Sequence, residues 1–87
     1  MATYMVERDL KGITMDQLAA AQRRAISTGQ EMTASGKDVR YIRSMFVPAE
    51  ARCMCLFESS SPAHVEELQG KAHIPFTRVV EALDLTP

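Results

Sequence analysis

Two cysteines separated by one residue, Cys53-Met54-Cys55, form the most conspicuous chemical pattern in this 87-residue chain. In a strand, alternation sends both side chains to one face, about 6.6 Å apart along the backbone. Their Cβ vectors then run nearly parallel, which is poor disulfide geometry. Two thiolates hold a soft metal only with two further ligands. The pair therefore reads first as two small buried hydrophobes, with metal or redox use as the alternative. Two histidines, His64 and His73, lie nine residues apart and do not make the i, i+4 pair of a helical metal site. His64 falls in a first helical turn. His73 follows that helix, where a cation suits the C-terminal dipole, and is the better ligand candidate.

Glu7, Tyr41, Arg43, Glu58 and Glu81 form the second set. Carboxylates with an arginine and a tyrosine can bind a divalent metal or a small polar molecule, provided the fold gathers them. The alternative is that the carboxylates merely pair with Arg43, Arg52 or Arg78 at wet edges. Lys11-Gly12 is an isolated turn, with no phosphate-cradling glycine loop around it. No nucleophile elbow or Ser–His–Asp order is present. Arg23-Arg24 reads as solvated helix charge, and Ser59-Ser60-Ser61 as helix capping.

The elements that position these residues are six. Thr3 to Asp9 alternates as a strand. Thr14 with Gln17 makes a capping box. The helix that follows carries Met15, Leu18, Ala19, Ala25, Ile26, Gly29 and Met32 near helical spacing, and Gly36 ends it. Val39–Val47 and Arg52–Glu58 flank Pro48-Ala49-Glu50-Ala51 as a hairpin. Ser61-Pro62 opens a short helix with Val65, Leu68 and Ala72 inward. Thr77 to Leu85 is a last strand. Strand, helix, strand, strand, helix, strand is the split βαβ pattern. Right-handed crossovers make it an α+β, ferredoxin-like sandwich: a four-stranded antiparallel sheet, first and third strands central, two helices on one face. Residues 1–87 form a single domain in this reading.

The four-residue turn predicts that Val47 pairs with Arg52, Met45 with Met54, Arg43 with Leu56 and Tyr41 with Glu58. Ile42, Phe46, Cys53, Cys55 and Phe57, with Tyr4, Val6, Val80 and Ala82, then face the helices. Tyr41, Arg43, Met45, Met54, Leu56 and Glu58, with Met5, Glu7, Val79 and Glu81, lie on the other face. No third helix exists to cover that face. A second copy packed sheet to sheet would, giving a dimeric α/β barrel.

Composition narrows the function classes. Hydrophobic residues at 46% and charged residues at 24% are ordinary for a globular chain and argue against disorder. A net charge of -1 offers no field for nucleic acid or anionic lipid. Aromatics are few, so an RNA-stacking sheet is not expected. No apolar run reaches the roughly 20 residues of a membrane span, and the N-terminus lacks signal-peptide character. A cytoplasmic location is the expectation.

Val6-Glu7-Arg8-Asp9-Leu10-Lys11-Gly12, Arg40-Tyr41-Ile42-Arg43-Ser44, Cys53-Met54-Cys55-Leu56-Phe57-Glu58, and Ile74-Pro75 followed by Arg78-Val79-Val80-Glu81 together resemble a family of small bacterial domains of unknown function that includes a nickel-binding protein. The resemblance runs almost the whole chain. It implies a ferredoxin-like fold and a dimer, and raises nickel or another divalent metal as a cofactor.

The functional expectation is a homodimeric binding protein. Glu7, Tyr41, Arg43, Glu58 and Glu81 line a ligand site on the open face, with Glu58, Glu81 and His73 as metal candidates. The alternative is a cofactor-independent monooxygenase or isomerase of the dimeric barrel kind, by fold analogy. In it Glu7 or Glu58 acts as base.

Overall fold

A computed structural model describes residues 1–87. The elements are β1 (Ala2–Asp9), α1 (Met15–Ala34), β2 (Val39–Val47), β3 (Arg52–Ser59), α2 (Pro62–Lys71) and β4 (Arg78–Ala82). They form one antiparallel sheet in the order β2-β3-β1-β4. This is the ferredoxin-like α+β arrangement, with β1 and β3 central. β4 is shorter at both ends than the expected Thr77–Leu85.

Local chemistry accounts for the ends of α1. The Thr14 side chain accepts from the Gln17 backbone N–H at 3.1 Å, and the Gln17 side chain accepts from the Thr14 N–H at 2.9 Å. Gly36, at φ +95°, makes the left-handed exit that other residues resist. The buried stripe of α1 is Ala21, Ala25, Gly29 and Met32. Met15 and Ile26, expected inward, are exposed. The stripe is built from small residues because the helix rides close on the sheet. A Cβ added at Gly29 would lie 3.1 Å from the Val39 carbonyl oxygen. On α2, Val65, Leu68 and Ala72 are buried as their spacing predicts.

The core lies between helices and sheet. Val6, Phe57, Val65 and Leu68 are wholly buried there, with Tyr4, Cys53 and Cys55 beside them. Two strand phases differ from expectation. In the hairpin, Val47 pairs with Arg52, Met45 with Met54 and Arg43 with Leu56, but a bulge falls between Tyr41 and Arg43. Ile42 is the extra residue, so Tyr41 stands opposite Phe57 and Arg40 takes the place opposite Glu58. One inserted residue inverts the faces of everything before it. Tyr41 thus joins the helix side, where its ring meets Phe57 edge-on at 5.5 Å between centroids.

On β4, Val79 pairs with Val6 and Glu81 with Tyr4, while Val80 pairs with Met5 and Ala82 with Thr3. Val79 packs on the core and Val80 lies on the open face, the reverse of the expected phase. Adjacent valines bury equally well in either phase. The bonds from the Thr77 N–H (2.7 Å) and hydroxyl (2.8 Å) to the Glu7 carbonyl anchor β4 just ahead of its first pair, Arg78 with Glu7.

Candidate functional site

Cross-strand partners share a face, so the open face reads as rungs. Arg43, Leu56, Met5 and Val80 make one; Arg40, Glu58, Thr3 and Ala82 the next; Met45, Met54, Glu7 and Arg78 a third. The centre is apolar. Met5, Met54, Leu56 and Val80 are half-buried with nothing above them, and Met45 is 65% exposed. Charged pairs surround this centre.

Glu7 is clamped by two arginines. Arg52 Nη2 donates to Oε1 at 2.5 Å and Arg78 Nε to Oε2 at 2.8 Å, leaving the side chain 16% exposed. The Arg78 hydrogen bond first, and then Arg52, hold its carboxyl below the usual value against the opposing effect of burial. A general base at neutral pH needs the opposite shift, so Glu7 is tuned away from that role. Glu58 accepts from Arg40 at 3.1 Å. Arg43 reaches beyond β4 and donates to both oxygens of Asp84, at 2.6 and 2.7 Å.

Of the five residues proposed for this face, the structure therefore brings Glu7, Arg43 and Glu58 onto it. It sends Tyr41 to the helix side, through the bulge, and Glu81 to the Tyr4 side of the edge strand. Glu58 lies opposite Thr3, four residues along β1 from Glu7, which is about 13 Å at the strand rise. The two carboxylates do not share an ion within one chain. His73 sits exposed at the end of α2 at φ 55°, off the open face. His64 Nδ1 lies 3.6 Å from an Asp38 carboxyl oxygen. No three His, Cys, Asp or Glu side chains converge as a metal site. Asp84 and Arg40 were missed as partners, although the excess of arginines in the hairpin was visible.

A second cluster lies under the sheet. Cys53 and Cys55 face α1, 2% and 6% exposed, with their sulfurs 3.7 Å apart. Ser44 Oγ donates to Cys55 Sγ at 3.0 Å. Ser44 Oγ is in turn 2.5 Å from the Tyr41 hydroxyl, which accepts from Gln22 Nε2 at 2.9 Å. Arg8, 2% exposed, completes the group. The Cys53 hydrogen bond, the Arg8 charge and the Ser44 hydroxyl bring the Cys55 thiol down to about 5 against the effect of burial, while the hydrogen bond to Cys55 and burial push Cys53 up. Arg8 was legible in the alternation of Tyr4, Val6 and Arg8, and Ser44 in its alternation with Phe46; Tyr41 was not, because its face depends on the bulge.

A family model described as nickel-responsive protein, SCO4226-like, matches residues 4–82. The chain belongs to this family. The crystal structure of SCO4226 from Streptomyces coelicolor A3(2) superimposes with a TM-score of 0.82, covering 98% of this chain and 100% of that one at 22% identity. The SCO4226-like fold is thus shared from end to end. No curated protein matches. The family description speaks of nickel, yet the donors of a single chain do not fit a nickel site: the open-face carboxylates are held by guanidinium groups and both imidazoles stand apart. No helix is long and apolar enough to cross a membrane.

Proposed function

We propose that this SCO4226-like chain is a cytoplasmic, homodimeric binding protein whose open sheet faces meet around a small polar ligand. The observation that supports the reading is the apolar centre of that face, Met5, Met45, Met54, Leu56 and Val80, ringed by the Glu7, Arg43 and Glu58 pairs. Contiguous apolar surface of this kind marks an interface. Glu7, Arg43 and Glu58 contact the ligand from the face. A divalent cation such as nickel is the metal form of the proposal, in keeping with the family description. Its donors then come from two copies, with Glu58 the candidate that the face supplies from each.

Native mass spectrometry of tag-free protein, with and without nickel, zinc and cobalt, tests both parts. A dimer with a selective, stoichiometric nickel adduct supports the metal form. A dimer without an adduct leaves the organic ligand, and a monomer removes the cavity altogether.

A further inference from the structure

The cluster beneath the sheet has a fixed polarity. The Gln22 amide nitrogen only donates, so the Tyr41 oxygen accepts there and its proton is free to point to Ser44. The Ser44 proton then points to Cys55 Sγ at 3.0 Å. Cys53 Sγ lies 3.7 Å from the same sulfur. Such chains polarise one another toward their end, which here is the sulfur.

Arg8 supplies the charge. Its Nη1 donates to the Pro75 carbonyl at 3.3 Å, and it takes part in no ion pair. A buried guanidinium without a counter-charge is costly. The anion it lacks can come from a cysteine thiol of the same cavity, Cys55 being the one that Ser44 hydrogen-bonds. Arg8, Cys53 and Cys55 line one cavity of about 200 Å³, with Leu18, Phe46 and Ile74 as apolar wall. The titratable and charged groups facing Cys55 are Arg8 from β1, Tyr41 from β2 and Cys53 from β3; α1 brings only Gln22 and apolar side chains. Gln22 and Ser44 are exposed, so the cavity mouth lies between α1 and the edge strand β2.

We propose that Cys55 is a thiolate nucleophile that reacts with a small hydroperoxide in this cavity, and that Cys53 is its resolving thiol. The Cys55 sulfur attacks one peroxide oxygen: an S–O bond forms and the O–O bond breaks. The other oxygen leaves as hydroxide (or alkoxide), carrying off the thiolate's charge, and is neutralised by a proton from the buffer. Sulfur loses two electrons to the peroxide and becomes a sulfenic acid. The Cys53 sulfur then attacks that sulfur, the S–O bond breaks, and the departing hydroxide takes the Cys53 proton as water. The two sulfurs, 3.7 Å apart, close into a disulfide that the nearly parallel Cβ vectors strain, which leaves it easily reduced. Apolar walls and a pair of soft sulfurs suit a small uncharged oxidant. A metal is disfavoured by the adjacent guanidinium and by having only two thiol ligands.

The test uses the full-length reduced chain, treated with hydrogen peroxide in the presence of dimedone and mapped by fragmentation mass spectrometry. In Cys53→Ser, dimedone is expected on Cys55. In the unaltered chain, dimedone capture is expected to drop and a Cys53–Cys55 disulfide to take its place. Equal capture on both cysteines of the unaltered chain, or no oxidation of Cys55 where free cysteine oxidises, overturns the proposal.

Because a Cys55 variant can fail to fold, the second measurement keeps Cys55. Its iodoacetamide rate is followed against pH in the unaltered chain and in Ser44→Ala and Tyr41→Phe, each checked for a native melt. The rate at neutral pH is not diagnostic, since a larger thiolate fraction is offset by lower nucleophilicity. The profile is diagnostic. A rate flat from about pH 6 to 8, with the midpoint moved upward in Ser44→Ala, supports the thiolate; a rate climbing about tenfold per pH unit, as for a free thiol, overturns it.

Discussion

Glu7 and Arg78 stand directly opposite each other on β1 and β4, and the Arg78 Nε donates to the Glu7 carboxylate at 2.8 Å. With Arg52 on the other oxygen, the pair ties three strands together on the face that no helix covers. Because the folded carboxyl value is depressed, the clamp stabilises the fold fully above the unfolded carboxylate value, about 4.3, and the contribution is lost as pH falls through the folded value. Glu7→Gln is therefore expected to lower Tm at neutral pH, with the gap to the unaltered chain closing on acidification. Thermal melts at paired pH values check this; a gap that persists in acid assigns the loss to packing instead.

The open face carries the dimer proposal. Leu56 lies at its centre, opposite both Met5 and Arg43. Leu56→Asp should leave the secondary structure intact by circular dichroism while halving the mass seen by light scattering. Glu58→Ala sits beside that centre and frees Arg40. It should weaken ligand or metal uptake in native mass spectrometry without dissociating the dimer. Unaltered uptake would remove Glu58 from the site.

Phe57 is the largest wholly buried side chain and the one against which Tyr41 packs. Phe57→Ala is expected to cost about 3–5 kcal/mol, the usual range for emptying an aromatic site in a core. A domain this size has little more than that in reserve. Urea titration should show the midpoint collapse, with partial unfolding already in buffer.

Ile42 sets the face of the residues before it. Deleting it should be tolerated, because it leaves regular pairing with the faces unchanged: Tyr41 stays opposite Phe57, and Val39, 2% exposed, stays opposite Ser59. Urea titration should show a loss below the roughly 1.5–3 kcal/mol of one fully buried aliphatic side chain, since Ile42 is only half-buried. Ile42→Ala, which keeps the residue count, should preserve the register. Equal destabilisation by the two changes would mean that the Ile42 side chain, and not the bulge, is what matters there.

The amino-acid sequence by itself determined the order of elements, the capping box at Thr14, the stop at Gly36, the central place of β1 and β3, and the burial of Cys53, Cys55, Phe57, Val65 and Leu68. These follow from short-range rules: periodicity, caps, turn chemistry and crossover handedness. It also put Glu7, Arg43 and Glu58 on one face. Tyr41 and Glu81 needed the tertiary structure, as did the chain from Gln22 through Tyr41 and Ser44 to Cys55. A period of two fixes which residues of a strand share a face, but it does not say which face. That choice is made by a single inserted residue in β2, and in β4 by where Thr77 meets the Glu7 carbonyl, and both depend on contacts between segments far apart in the chain.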